Sequence, residues 1–94
     1  MQLSHKYALE IKNILKTQLT KQKIYLFGSR AKNTAEKFSD VDLCIDGDSI
    51  SFEKMSLLKD AFSESDIPYF VDIVQKQNLS DDFYTQIKPS FIEI

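Results

Sequence analysis

The sequence predicts a small α/β (α+β) domain built on a sheet of three to four strands. Two observations carry this. Stretches with apolar residues every three or four positions alternate with short runs of β-branched and aromatic residues, in the order α-β-(short α)-β-α-β-α-β. The composition, 43% hydrophobic and 28% charged over 94 residues, is that of an ordinary globular domain rather than a disordered chain. A chain of this length can bury one modest core, so residues 1–94 are read as a single domain.

The same numbers exclude several classes. A net charge of -2 argues against direct nucleic-acid binding, which normally needs a basic excess. The lone Cys44 can form neither an internal disulfide nor a cysteine zinc site, which points to a reducing cytoplasm. No apolar run approaches the roughly 20 residues that span a bilayer. The polar start, Met1-Gln-Leu-Ser-His-Lys, does not resemble a signal peptide.

The first helix is expected from Leu3 to Lys21. Leu3, Tyr7, Ala8, Ile11, Ile14, Leu15 and Leu19 form its apolar face, and Ser4 is its cap. Its lysines are read as a solvated face and His5 as exposed and inert. Ile24-Tyr-Leu-Phe27 follows as a strand with Ile24 and Leu26 on one face, Tyr25 and Phe27 on the other. Gly28 ends it, and Ser29 caps a short helix through Arg30-Ala31-Lys32. Asp40-Val-Asp-Leu-Cys-Ile45 is the second strand, with Val41, Leu43 and Ile45 facing a core. Asp46-Gly47-Asp48-Ser49 turns the chain.

A second helix follows, with Ile50, Met55, Leu57, Leu58, Ala61 and Phe62 as its stripe, a cap at Ser49 or Ser51, and a stop before Asp66-Ile67-Pro68. Tyr69-Phe-Val-Asp-Ile-Val74 is the third strand. Ser80 caps a last short helix through Ile87, whose first-turn Asp81 and Asp82 suit the helix dipole. Lys88-Pro89 ends it, and Ser90–Ile94 is a terminal strand.

Three places carry chemistry. Gly28 permits a positive φ or close approach by a ligand, and a helix start at Ser29 would offer unpaired N–H groups to a phosphate. This is not a P-loop, since no Gly-x4-Gly-Lys-Ser/Thr pattern exists. Asp40 and Asp42 share a strand face about 6.5–7 Å apart. They are read either as clustered surface charge with Asp40 as a cap, or as ligands for one or two hard cations. An EF-hand is excluded, because Cys44 and Ile45 stand where a third ligand and a glycine are needed. Asp72 interrupts an apolar strand, and burial there demands a partner or a cation. Its own position leaves a structural and a functional reading equally open.

Gly28-Ser29, ten intervening residues, then Asp40-Val41-Asp42 and an apolar strand resemble the signature of the DNA polymerase β-like nucleotidyltransferase superfamily. Within it, Phe27-Gly-Ser-Arg-Ala31 with Ser39-Asp-Val-Asp-Leu43 is similar to the minimal nucleotidyltransferase (MNT) domains, over nearly the whole chain. One departure is the linker. MNT domains often carry a glycine where this chain has Lys32-Asn33-Thr34, and an asparagine can still turn the backbone there.

The resemblance implies a mixed sheet with helices mainly on one face. It implies Asp40, Asp42 and Asp72 as catalytic, metal-binding carboxylates for Mg2+, two ions in all, and Gly28, Ser29 and Arg30 as nucleotide-binding residues. For Arg30, neutralising phosphate charge, contacting an acidic partner and simple solvation stay open. The implied activity is transfer of AMP from ATP to a tyrosine hydroxyl of a HEPN-type toxin, with this protein as antitoxin. The chain ends soon after the acidic strands, so the acceptor is expected to bring its own surface. The alternatives are an antitoxin that masks its partner without catalysis, and nucleotidyl transfer to a small-molecule hydroxyl.

Overall fold

Serine hydroxyls set where each helix begins. The computed structural model describes residues 1–94. Ser4 caps α1 (His5–Leu15) by accepting from the Tyr7 N–H, Ser51 caps α2 (Phe52–Glu64) by accepting from the Lys54 N–H, and Ser80 caps α3 (Asp81–Ile87) by accepting from the Phe83 N–H. Such caps are worth about 1 kcal/mol each, whereas each buried Leu or Ile contributes roughly 1.5–3 kcal/mol. The caps therefore fix the boundaries, and the core sets the stability.

Four strands, β1 (Lys23–Phe27), β2 (Val41–Asp46), β3 (Val71–Gln75) and β4 (Ile92–Glu93), form one mixed sheet in the order β3-β2-β1-β4. β1 runs antiparallel to β2 and to β4, while β2 and β3 are parallel and joined through α2. On one face Leu26, Leu43, Ile45 and Ile73 meet Ile11 and Leu15 of α1 and Leu58 and Phe62 of α2 in a single core. The opposite face carries a smaller aromatic group. The rings of Tyr25 and Phe91 stack at 4.9 Å between centroids, and Phe83 of α3 meets Phe27 edge-on at 6.5 Å. The two longer helices thus share one face, and α3 covers part of the other. No helix is long and apolar enough to cross a membrane.

Several elements are shorter than expected. α1 stops at Leu15 because the next turn tightens, with Thr17 N–H donating to Ile14 C=O and Gln18 N–H to Leu15 C=O. Leu19 still reaches the core through its own bond to the Leu15 carbonyl. The short helix expected after Ser29 is a single turn. Lys32 N–H bonds to Gly28 C=O, and Thr34 N–H then closes a wider loop onto Ser29 C=O. Asn33 takes φ 60°, so the asparagine supplies the left-handed residue that ends the turn. Leu57 is half exposed rather than part of the α2 stripe. β3 begins at Val71, two residues after the expected start, and β4 is only two residues long.

Arg30 corrects a sequence expectation. Its side chain is not solvated, because it is 5% exposed and its guanidinium donates to the chain itself. Nη1 donates to Gln2 C=O at 2.7 Å, and Nε and Nη2 donate to Ser39 C=O at 3.0 and 2.9 Å. Nη2 also donates to Lys37 C=O at 3.4 Å. The guanidinium carbon lies 3.8 Å from the Tyr69 ring centroid. One side chain thus ties the N-terminal segment, the loop before β2 and the approach to β3.

Removing it leaves three carbonyls and a half-buried ring without their partner. Arg30→Ala should lower unfolding stability by about 3 kcal/mol, measured by urea denaturation. Arg30→Lys should recover less than half of that loss, since one ammonium cannot reproduce the planar fork.

Candidate active site

The site is created by register. Alternation along β2 sends Val41, Leu43 and Ile45 into the core, so Asp42 emerges on the opposite face. β2 and β3 are parallel and in step, and Asp42 pairs directly with Asp72. Two in-register residues of neighbouring strands share a face about 4.8 Å apart. The exposed Asp72 therefore stands beside Asp42 and away from the helix-covered core. Asp40, two residues before Asp42, is exposed just ahead of the strand.

On the other side, β1 delivers the turn. Phe27 pairs with Asp42, so Gly28 follows against the same carboxylate. Gly28 has φ 75°, and a Cβ built there would sit 2.5 Å from Asp42 Oδ2. Both facts require glycine. Beyond it, the N–H groups of Ser29, Arg30 and Ala31 donate to no backbone or side-chain acceptor of the chain. The start of a helical turn thus presents open donors next to a carboxylate pair. Lys32, exposed in the same turn, lines a cleft of about 200 Å³ with Gly28, Gln86, Ile87, Pro89 and Ser90.

The electrostatics of the acids are unrelieved. The chain's one ion pair joins Lys76 to Asp46 at 3.8 Å, so Asp40, Asp42 and Asp72 have no Lys or Arg within that reach. Asp42 is pushed up to about 6 by partial burial first, then by the negative charges of Asp72 and Asp40. The neighbouring Cys44 thiol is also raised, mainly by burial, and its side chain is fully enclosed. It is a packing residue on the aspartate face.

The structure therefore brings Gly28, Asp42 and Asp72 together, places Asp40 at their edge and Ser29 at the turn, and removes Arg30 into the loop scaffold. Sequence reasoning passed over Lys32, although its position three residues beyond Ser29, at the start of a helical turn, was a usable signal. It also passed over the aromatic flank of Phe27, Phe83 and Phe91, which depends on α3 folding back over the sheet and has no local signature.

A mixed sheet with a glycine turn and aspartates on adjacent strands is an arrangement that can hold a phosphate beside a cation. The comparisons narrow the class. Residues 9–94 match the family described as "Polymerase beta, Nucleotidyltransferase". A protein of Haemophilus influenzae named "Probable protein adenylyltransferase MntA" is 38% identical over 85 residues, covering 89% of this chain and 75% of that relative. The chain belongs to the polymerase β-type nucleotidyltransferase family and is a nucleotidyltransferase of the minimal type.

Two outcomes follow from the Asp42 environment. Its carboxyl binds a proton more tightly in the folded state than its ordinary 3.8, so folding is opposed once pH rises through about 6. Any stability it gives is complete below about pH 4 and is lost as pH climbs through about 6. Asp42→Asn should therefore raise the melting temperature of protein kept in chelator at pH 7.5 and change it little at pH 4, by differential scanning calorimetry. Gly28→Ala should displace the Asp42 carboxylate and lower nucleotidyl transfer roughly tenfold or more at a stability cost of about 1–2 kcal/mol. Activity and melting temperature measured on the same preparation check this.

Proposed function

We propose that this nucleotidyltransferase moves AMP from ATP onto a tyrosine hydroxyl of a partner protein, a HEPN-type toxin, and so serves as the antitoxin of a toxin–antitoxin pair. The observation that carries the chemical part is the register match of Asp42 with Asp72 beside the Gly28 turn, with no cation of the chain to balance them. The protein acceptor is favoured by the name of the Haemophilus relative.

In this reading Gly28 and Ser29 hold the triphosphate through the open N–H groups of the turn, and Lys32 adds positive charge beside it. Asp40, Asp42 and Asp72 form the acidic wall across from the turn. Asp72, exposed and outermost, accepts the hydrogen bond of the incoming hydroxyl and draws its proton. The hydroxyl oxygen bonds to the α-phosphorus, the bond to the bridging oxygen breaks, and pyrophosphate departs.

The donor set fits Mg2+. All three candidate ligands are carboxylates with no His or Cys among them, and mutual repulsion at Asp42 is what a divalent cation relieves. The three do not close into a ready-made cage. That also suits Mg2+, which is usually held by one or two carboxylates together with substrate phosphates and water. Two bound Mg2+ ions would neutralise the charge that develops on the attacking and leaving oxygens. The compartment of this reading is the cytoplasm, where ATP is at hand and a free thiol such as Cys44 stays reduced.

The test incubates the protein with ATP, Mg2+ and the purified product of the adjacent gene and follows intact mass. An AMP-sized gain on a tyrosine of the partner is expected. Asp40→Asn, Asp42→Asn and Asp72→Asn should each lower the rate by roughly 100-fold or more. No gain, with toxin neutralisation fully retained by Asp40→Asn/Asp42→Asn, would replace catalysis by masking.

A further inference from the structure

The strand order separates two sides of the acidic wall. Gly28 follows β1, Asp42 lies on β2 and Asp72 on β3, with neighbouring strands about 4.8 Å apart. The phosphate turn is therefore on the β1 side of the carboxylates. An in-line displacement needs its nucleophile opposite the leaving group, which is the β3 side. β3 is an edge strand, and there the chain has a cleft of about 230 Å³. It is lined by Phe62, Tyr69, Phe70 and Val71, by Lys59 and Ser63 of α2, and by the exposed Asp72.

We infer that this cleft is the acceptor subsite and that its occupant is a tyrosine side chain of the partner protein. The inference rests on the reading of the chain as a protein adenylyltransferase. Three properties select that occupant. The volume falls below the roughly 300–1,000 Å³ of sites that enclose whole small molecules, so it suits one side chain rather than a nucleotide. The walls are aromatic, which suits a ring packed edge-on or offset. Asp72 belongs to the lining and is exposed, and a carboxylate there can accept a hydrogen bond from a phenol. A serine or threonine would offer the hydroxyl but leave the aromatic walls bare, and a phenylalanine would offer the ring but leave Asp72 without a donor. Among hydroxyl-bearing side chains, tyrosine alone satisfies both.

The walls differ in rigidity. Tyr69 is held between the Arg30 guanidinium and the Tyr7 ring, the latter at 5.8 Å between centroids. Phe70 is 67% exposed and has no aromatic partner in the chain. It is the wall with area left to cover, and its truncation leaves the core untouched.

Two measurements test the proposal on the intact chain. In the first, N-acetyltyrosinamide is titrated while backbone amide shifts are followed by NMR, with N-acetylserinamide and N-acetylphenylalaninamide as controls. Saturable shifts confined to Lys59, Phe62, Ser63 and Tyr69–Asp72 are expected. Binding should weaken at least threefold in Phe70→Ala, and the two controls should bind more weakly. Shifts that fall elsewhere, or equal binding of all three probes, would overturn the subsite. In the second, Phe70→Ala should raise the KM for the partner protein about tenfold and leave the KM for ATP unchanged. An unchanged partner KM would also overturn it. If the NMR result holds and wild-type protein places no AMP on a partner tyrosine, the adenylyltransferase reading fails while the tyrosine-binding cleft stands.

Discussion

The guanidinium of Arg30 is the contact on which both acidic strands depend. It receives the carbonyl of Ser39, the residue before Asp40, and it stacks on Tyr69, two residues before β3 begins. It also holds Gln2, whose side-chain oxygen in turn accepts from the Ala35 N–H at 2.7 Å. A long connection between β1 and β2 would otherwise be free to shift the start of β2. A one-residue slip there would send Asp42 to the core and Val41 to the surface. The register that pairs Asp42 with Asp72 is thus guarded from outside the sheet by a side chain that touches neither. A buried cation satisfied by carbonyls rather than a carboxylate leaves the acids of the site without a competing partner.

Folding and the site pull in opposite directions. The core face is uniformly apolar, while the aspartate face gathers negative charge around a partly buried carboxyl that resists ionisation. The Phe27, Phe83 and Phe91 rings and the enclosed Cys44 lower the local polarity on that face, which strengthens the effect. A stability-optimised chain would place a lysine or an apolar residue at Asp42. Keeping the acid is a local violation of the pattern, of the kind that marks a functional position.

Much of the fold was legible in the sequence because its signals are local. Ser4, Ser51 and Ser80 cap the helices for which they were nominated, and alternation from Asp40 to Ile45 assigned the two faces of β2 as they occur. Gly28 was flagged as a position for positive φ and has it. The pairing of Asp42 with Asp72 was reachable only through the family resemblance, since no local pattern links residues thirty positions apart. Arg30 was misplaced for the same reason. Its partners at Gln2, Lys37, Ser39 and Tyr69 are scattered along the chain, and an arginine after Gly-Ser reads locally as a phosphate ligand. The second, aromatic face was also hidden, because Phe83 and Phe91 lie in short elements whose direction is set by packing.

The open geometry of the acids bears on how the site discriminates. A preformed cage of three carboxylates would hold a divalent cation whether or not nucleotide were present. Here the acids face one another across two strands without closing, so on the proposed reading the remaining oxygen ligands of a cation would come from the triphosphate and from water. On the proposed reading, binding of cation and nucleotide would be mutually dependent, and the cation would relieve the negative charge of Asp72 and Asp40 that adds to burial in raising Asp42. The Gly28 turn contributes to the same coupling, because its backbone stands against the Asp42 carboxylate and any phosphate held there lies within reach of the acids.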